Sequence, residues 1–422
     1  MGHDRDHGVT LEEARARVRA CFTPVADVED APLERALGRV LAEDVIARAD
    51  VPPFDNSAMD GWALAVASLT ATTELAIAGE AFAGRPMRGA VPAGACARVM
   101  TGAPIPDGCD TVVMQEHARE EGGRVRVDLE ARGARAGQHV RRAGEDVRAN
   151  TVALAKGRAL RPVDVGVCAS VGHASVRVWR RPRVAFFSPG DELRPAGAPL
   201  GPGQLWDSNR HVLRASIERC GAEAIDLGDV GDDLPALSRA LERVLAATPR
   251  VDALVTTGGV SVGVADRVFD AVRALGSPLG SVEALEVRMK PGRHYVIGRL
   301  AHALRSAATT AFVGLPGNPV ANAVGFFTLV RPALLACAGH DPVLDPIQLR
   351  AIARSDFRAG EGRVELQRGV AWREHEGAAW SVRSTGAQGA GMLRSMAEAN
   401  CLVILRGPVS QNETVDIQLL DS

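Results

Sequence analysis

The chain is nearly without lysine. Of its 49 basic residues only Lys156 and Lys290 are lysines, and the remainder are arginines. A coding bias toward arginine explains the shortage, and it makes each remaining lysine a candidate for a place where a compact ammonium is needed. No excess of one charge is present either: the formal net charge is −2, which removes the electrostatic case for nucleic acid or an anionic membrane as partner. The seven cysteines (Cys21, Cys96, Cys109, Cys168, Cys220, Cys337 and Cys401) are odd in number and scattered, with no C-x-x-C. That pattern argues against a disulfide framework or a zinc knuckle and points to a reducing, cytoplasmic compartment. The ten histidines form no metal-spaced pair. The leading MGHDRDHGVT is polar and acidic, unlike a signal peptide. The most apolar run, Val320 to Val330, spans 11 residues before Arg331 and Pro332, too few to cross a bilayer. Neither G-x-x-x-x-G-K-[ST] nor G-x-G-x-x-G occurs, so P-loop and dinucleotide readings lack support.

What is present is a chain of 422 residues, 46% hydrophobic, enough for two to four domains at about 100–200 residues each. Thr10 and Glu13 form a capping box ahead of an amphipathic helix to about Ala20. A second helix is expected over Leu33–Glu43. From Val51 to Gly144 short apolar runs (Leu75–Ala78, Cys96–Met100, Thr111–Met114 and Val125–Leu129) alternate with Gly and Pro, the texture of a β-rich unit. From Arg183 to about Gly339 strands and helices alternate: Arg183–Phe187, Ala224–Leu227, Val251–Thr256 and Ala311–Val313 as strands, with Ser208–Cys220, Leu234–Ala247 (capped by Asp232 or Asp233), Asp266–Leu275 and a segment from Asn318 as helices. This rhythm predicts a mostly parallel sheet covered on both faces. From Leu349 to Leu420 strands return, as a small β-barrel. The expected boundaries are 9–50 plus 147–180 for a discontinuous N-terminal unit, 51–146 for a β-rich insertion, 181–340 for the α/β domain and 345–422 for the barrel.

Three Gly-rich segments follow strands of the α/β region: Ser188 to Glu192, Thr257 to Gly263, and Leu315 to Pro319. Open α/β sheets bind ligands at the carboxyl ends of their strands, and glycines there let backbone N–H groups approach phosphate or oxyanion oxygens. Gly259 to Gly263 also matches the G-x-S-x-G nucleophile elbow, with Ser261 as nucleophile. A serine hydrolase would then need a downstream acid and histidine, and only Asp341 and His375 offer themselves. Carboxylates recur inside Gly-rich segments, at Asp60, Asp146, Glu192, Asp232 and Asp266. Gathered beside phosphate-binding loops, they would repel an anionic ligand unless a cation intervenes, and Mg²⁺ held by one or two carboxylates plus substrate phosphates resolves the conflict. Lys290, held by the Pro291-Gly292 turn, is the favoured anion contact.

Taken in order, several motifs resemble those of one family. They are Pro53 to Gly61 (PFDNSAMDG), Met100 to Pro104, Val112 to Glu116, Arg142 to Asp146, Gly190 to Leu193, Asp207 to Arg210, Gly258 to Gly263 with Asp266, Lys290 to Gly292, and Leu315 to Pro319. The set resembles the MoeA/gephyrin family, the molybdopterin molybdenumtransferases, from about Val9 to Leu420. The resemblance implies a multidomain α/β plus β fold with a central molybdopterin-binding-type domain. It implies a homodimer whose site lies between that domain of one subunit and the β-rich domain of the other. The implied reaction inserts molybdate into adenylyl-molybdopterin with release of AMP and help from Mg²⁺, with the pathway's adenylyltransferase as a further partner. It gives functional positions to Asp60, Thr101, Asp146, Glu192, Asp232 and Asp266 as catalytic residues. Gly258, Gly259, Ser261, Lys290, Pro316, Asn318, Pro319 and Arg368 fall to substrate binding, and Asp60, Glu192 and Asp266 to the metal.

The sequence departs from the family pattern at four places. Glu286 stands where a second basic residue can occur, Ala390 replaces a serine, Pro189 replaces a threonine, and His294 replaces a proline. A charge reversal at Glu286 is expected to weaken oxyanion binding. These departures keep open a second reading, a paralogue that binds molybdopterin as a carrier or scaffold.

Overall fold

The computed structural model describes residues 8–71, 73–128, 134–258, 267–275, 280–302, 305–341 and 347–420. Three sheets and one small linking layer organise it.

The α/β domain is built on a six-stranded sheet of β1 (Arg183–Phe187), β2 (Glu223–Asp226), β3 (Ala253–Thr257), β4 (Gly280–Glu286), β5 (His294–His302) and β6 (Arg305–Leu315), in the order β2-β1-β3-β6-β5-β4. The first four in that order run parallel, and β5 and β4 close one side as an antiparallel pair. The strand alternation from Arg183 onward thus yields a mostly parallel sheet, while the β4–β5 hairpin carries no such signal. β3 and, beyond Arg183, β1 are buried, as expected of parallel strands covered on both faces.

Helix α1 (Leu11–Cys21), α2 (Ser208–Arg219) and the long helical run Pro319–Cys337 cover one face, sharing a core with Val184, Val255 and Val313. Helices α3 (Leu234–Ala246) and α4 (Arg267–Ala274) cover the other, against Phe187, Leu254 and Phe312. Helix α1 buries Leu11, Ala14 and Val18 in the α/β core. One expectation is corrected here: Arg331 and Pro332 do not end the apolar run. The helix continues through them by way of a π-helical turn at Phe326–Val330. The Thr328 carbonyl, which Pro332 cannot use for want of an N–H, accepts from Arg15 Nε of α1 at 3.0 Å. Among the described residues Pro319–Cys337 is the one helix long and apolar enough to cross a membrane, and 72% of its most apolar window is buried in this core.

The caps agree with the sequence in part, since only half of the Thr10–Glu13 box forms. The Thr10 hydroxyl accepts from Glu13 N–H, while the Glu13 carboxylate turns to Arg17. Asp233 caps α3 by accepting from Ala236 N–H, which leaves Asp232 available elsewhere. Between α1 and the β-rich unit, Val28–Pro32 pairs antiparallel with Ser175–Trp179. The helix expected over Leu33–Glu43 is a single 3₁₀ turn, Leu33–Arg35. Gly38 sits at φ +72°, outside the helical region, and Val40 and Leu41 then run extended into bridges with Ala159 and Val178.

The β-rich unit holds a six-stranded sheet in the order Thr111–Met114, Gly61–Leu64, Ala95–Val99, Glu74–Ala81, Arg124–Val127, Ala118–Glu121. Gly61–Leu64 was not foreseen as a strand. It is buried throughout and lies so close to its neighbour that a Cβ on Gly61 would meet the Val113 carbonyl oxygen at 2.0 Å. The end of the expected Val125–Leu129 strand falls on Leu129, outside the described residues. The barrel strands are β7 (Gln348–Ala353), β8 (Val364–Trp372), β9 (Trp380–Ser384), β10 (Cys401–Leu405) and β11 (Thr414–Leu419). They close in the ring β8-β9-β7-β11-β10, with β10 returning to β8. Met289–Lys290 of the α/β domain adds to β8 in parallel, with Lys290 opposite Glu365. All seven cysteines are unpaired. Burial pushes the thiols of Cys96, Cys109, Cys337 and Cys401 up to about 12, which makes them poor nucleophiles.

Candidate functional site

A cleft of about 930 Å³ opens at the carboxyl ends of β1, β3 and β6, within the range of small-molecule sites. The three Gly-rich turns meet there through Gly190, Gly258 and Gly317. Gly258 adopts φ +77° and gives its N–H to the Leu315 carbonyl at 2.8 Å, and a Cβ on Gly317 would lie 3.4 Å from Gly258 Cα. The two turns thus lie in van der Waals contact, and the left-handed φ of Gly258 favours glycine there.

Under these turns lie polar atoms with no partner. Asn209, in the first turn of α2, donates Nδ2 to the Gly317 carbonyl at 2.7 Å, while its Oδ1 is buried and unmatched. Ser188 Oγ and Thr256 Oγ1 are likewise buried without hydrogen bonds. Asn318 begins the long helix with no side-chain cap, and the Val320 N–H goes to the Ala390 carbonyl of the barrel. Asp207 caps α2 from within the cleft wall.

Of the residues marked from sequence, Glu192, Asp232, Gly258, Lys290, Pro316, Asn318 and Pro319 all line this cleft. Asp232 pairs with Arg267 at 3.2 Å. Lys290 sits 3.3 Å from Glu365 of the barrel. Burial would raise the Glu365 carboxyl, but the Gly360 N–H, Arg363, Gln367 and Lys290 outweigh it and hold it below its ordinary value.

Asp60, Thr101 and Asp146 belong to the β-rich unit and its edge and do not line the cleft of their own chain. Asp60 accepts from both the N–H and the hydroxyl of Thr101, at 2.7 and 2.8 Å, which keeps its carboxyl below the usual range. Arg368 does not reach the cleft either. Only 1% exposed, it donates Nε to Ser395 Oγ and Nη2 to the Gly389 carbonyl. Its backbone is clasped by Gln388, so it shapes the loop whose Gln388, Ala390 and Gly391 do line the cleft. Gly259, Ser261 and Asp266 lie outside the described residues.

The hydrolase partners are not assembled. Asp341 packs on Gly157 of the linking layer, and His375 sits in the β8–β9 turn of the barrel, bonded to the Glu376 carbonyl. The departures concentrate at the cleft: Pro189, His294 and Ala390 line it. Glu286 is engaged by Arg293, itself a lining residue. Its negative charge is thus met locally, and the effect is to occupy Arg293. Asn209, Arg267 and Gln388 were missed as site residues. Asn209 stood in a quoted motif, but only the fold turns it under Gly317.

Glycine-built turns, a helix start and a lysine around one cleft define an α/β protein that binds an anionic small molecule, with appended β units. Comparison with known proteins sharpens this. Residues 9–172 match the MoeA N-terminal region (domain I and II), 185–336 a probable molybdopterin binding domain, and 350–420 the MoeA C-terminal region (domain IV). A molybdopterin molybdenumtransferase of Haemophilus influenzae is 36% identical over 415 residues, covering 97% of this chain and 98% of that one. A molybdopterin molybdenumtransferase 2 of Mycobacterium tuberculosis is 34% identical, covering 88% and 89%. The crystal structure of a molybdopterin biosynthesis MoeA protein from Pyrococcus horikoshii OT3 superposes with a TM-score of 0.80 at 27% identity, covering 98% of this chain and all of that one. The chain belongs to the MoeA family, the molybdopterin molybdenumtransferases.

Proposed function

We propose that the chain is a molybdopterin molybdenumtransferase: it takes adenylyl-molybdopterin and molybdate, sets molybdenum on the dithiolene sulfurs and releases AMP. The observation that carries this reading is the cleft itself, where three glycine turns, the Asn318 helix start and Lys290 face one space. The glycines let the backbone come close to phosphate and molybdate oxygens, and the helix start adds positive potential. Lys290 supplies the compact charge. The relatives' name favours the enzyme over the carrier reading.

Mg²⁺ is part of the proposal. Glu192 and Asp232 offer carboxylates in the cleft, and Mg²⁺ is usually held by one or two of these plus substrate phosphates. Among the described residues no group of three His, Cys, Asp or Glu is placed to hold a metal, and Asp266 lies outside them; substrate oxygens would complete the shell. When bound, the ion would supply positive charge against the phosphate oxygens, with Glu192 and Asp232 as the residues to hold it. Asp60 and Thr101 stand outside their own chain's cleft, which supports a homodimer in which a second copy presents them. Seven unpaired cysteines support a cytoplasmic location. The purified protein is expected to release AMP from adenylyl-molybdopterin only when molybdate is added. Release at the same rate without molybdate, or none with it, overturns the reading.

A further inference from the structure

The lysine of the cleft is not held by the domain that makes the cleft. Met289–Lys290 leaves the α/β sheet and lies parallel to β8 of the barrel, with Val364 N–H donated to the Arg288 carbonyl at 3.0 Å. That pairing sets Lys290 Nζ 3.3 Å from Glu365 Oε2. The two ends of this ion pair differ. The Glu365 side chain is 3% exposed and the Lys290 side chain 52% exposed. Glu365 is also fixed by three other donors: the Gly360 N–H and Arg363 on Oε1, each at 3.1 Å, and Gln367 Nε2 on Oε2 at 3.3 Å. The carboxylate is therefore rigid. The ammonium is half open, with protons left for a ligand, and lines the cleft.

We infer that Glu365 is the internal counter-ion of Lys290, a positioning residue in the barrel that holds the lysine at the cleft and lowers its pull on an incoming anion. This rests on the anion-binding reading of the cleft. A fixed carboxylate on the ammonium partly cancels its field, and an arriving oxyanion must share the lysine with it. The arrangement avoids an oxyanion held too tightly to be passed on. It also explains why a barrel residue with no face in the cleft has so many donors spent on it.

The inference has a definite sign. Molybdate and, in parallel, inorganic phosphate are titrated calorimetrically into the parent protein, Glu365→Gln, Lys290→Ala and the double variant. Glu365→Gln keeps the shape and the Gly360 contact but removes the charge, and is expected to tighten anion binding about tenfold, which is roughly 1.4 kcal/mol. The gain is expected to vanish in the Lys290→Ala background, the coupling that a double-mutant cycle isolates. Weaker or unchanged binding by Glu365→Gln, or an equal gain without Lys290, overturns the inference, since a merely structural Glu365 gives one of these. Should Glu365→Gln not fold, Glu365→Asp, which draws the charge back while keeping a carboxylate for Arg363, is expected to show a smaller Lys290-dependent gain. A parent that binds phosphate but not molybdate defeats the functional reading alone. A parent that binds neither defeats both.

Discussion

The two ends of the α/β sheet are built on opposite terms. At the amino ends of the parallel strands, Asp252 is 4% exposed and every lone pair is answered. Arg180 donates to both its oxygens at 2.8 and 3.1 Å, Arg183 N–H to Oδ2 at 2.8 Å, and Arg250 to Oδ1 at 3.2 Å. Arg180 also reaches Asp27, tying the linking layer to the sheet. At the carboxyl ends, Ser188, Asn209 and Thr256 keep buried oxygens with no partner. A buried polar atom left unmatched is destabilising by about 1–3 kcal/mol. Arg183 Nε is the unmatched atom at the amino end; otherwise that end of the sheet holds the fold together, and the other keeps its polar capacity for a ligand.

Variants at the two ends should separate stability from activity. Asp252→Ala strands a partly buried guanidinium and should lower unfolding stability by about 3 kcal/mol in denaturant melts. The molybdate concentration for half-maximal turnover should stay unchanged in the protein that remains folded. A matching loss of molybdate affinity would break the contrast.

At the other end, Glu192→Ala should lower turnover by about 10²-fold with an unaltered melting curve, as loss of one group acting at a transition state does. Asp60→Ala should do the same from the β-rich unit. Mixing the two unfolded variants and refolding them together should return about a quarter of the parent rate if sites form between copies, because half the dimers are mixed and each holds one intact site. No recovery would place both carboxylates in one chain's site.

Smaller in size is the effect of Lys290→Ala, which should raise the half-saturating molybdate concentration about tenfold, roughly 1.4 kcal/mol. Lys290→Arg should recover only part of this, and Lys156→Ala, at an exposed position, should change nothing. Equal behaviour of all three would leave the anion to backbone amides.

The weakest effect sharpens the contrast through pH. Burial raises the Asp252 carboxyl, but the bonds from Arg180 and the Arg183 N–H more than offset this and hold it below its ordinary 3.8. A depressed folded pKa contributes stability that is complete above the unfolded value and lost as the pH falls through the folded one. The melting temperature of the parent should therefore fall below pH 3.8 more steeply than that of Asp252→Asn. Parallel acid profiles would show that this carboxylate contributes nothing to acid stability.

Much of this division was legible in the residues. Gly190, Gly258 and Gly317 each follow a buried apolar run, and turns at the carboxyl ends of parallel strands have to meet. Thr10 and Asp233 announced their helices through side-chain oxygens acting locally. What could not be read depends on partners far apart in sequence. The Glu365 contact to Lys290 needs a parallel pairing between two domains. Arg368 was placed in the substrate site by the family resemblance alone, and only the closed barrel shows its guanidinium turned inward onto Ser395 and Gly389. The β4–β5 hairpin was missed because its polar and apolar residues do not alternate cleanly. Leu33–Glu43 read as helix because the left-handed turn at Gly38 overrides the pattern around it.

The chain has one tyrosine, and its position makes it a ready-made spectroscopic probe. Tyr295 is 1% exposed, with its hydroxyl against Met289 Sδ at 3.8 Å and directly beneath Gly292, where an added Cβ would lie 2.5 Å from it. Its ring also abuts Gly325 of the long helix. A fluorine introduced by biosynthetic labelling would thus give a single ¹⁹F resonance, with no assignment needed. That one line would register any shift of the Lys290–Gly292 turn against the helix as anions are titrated, in the intact protein and without mutation.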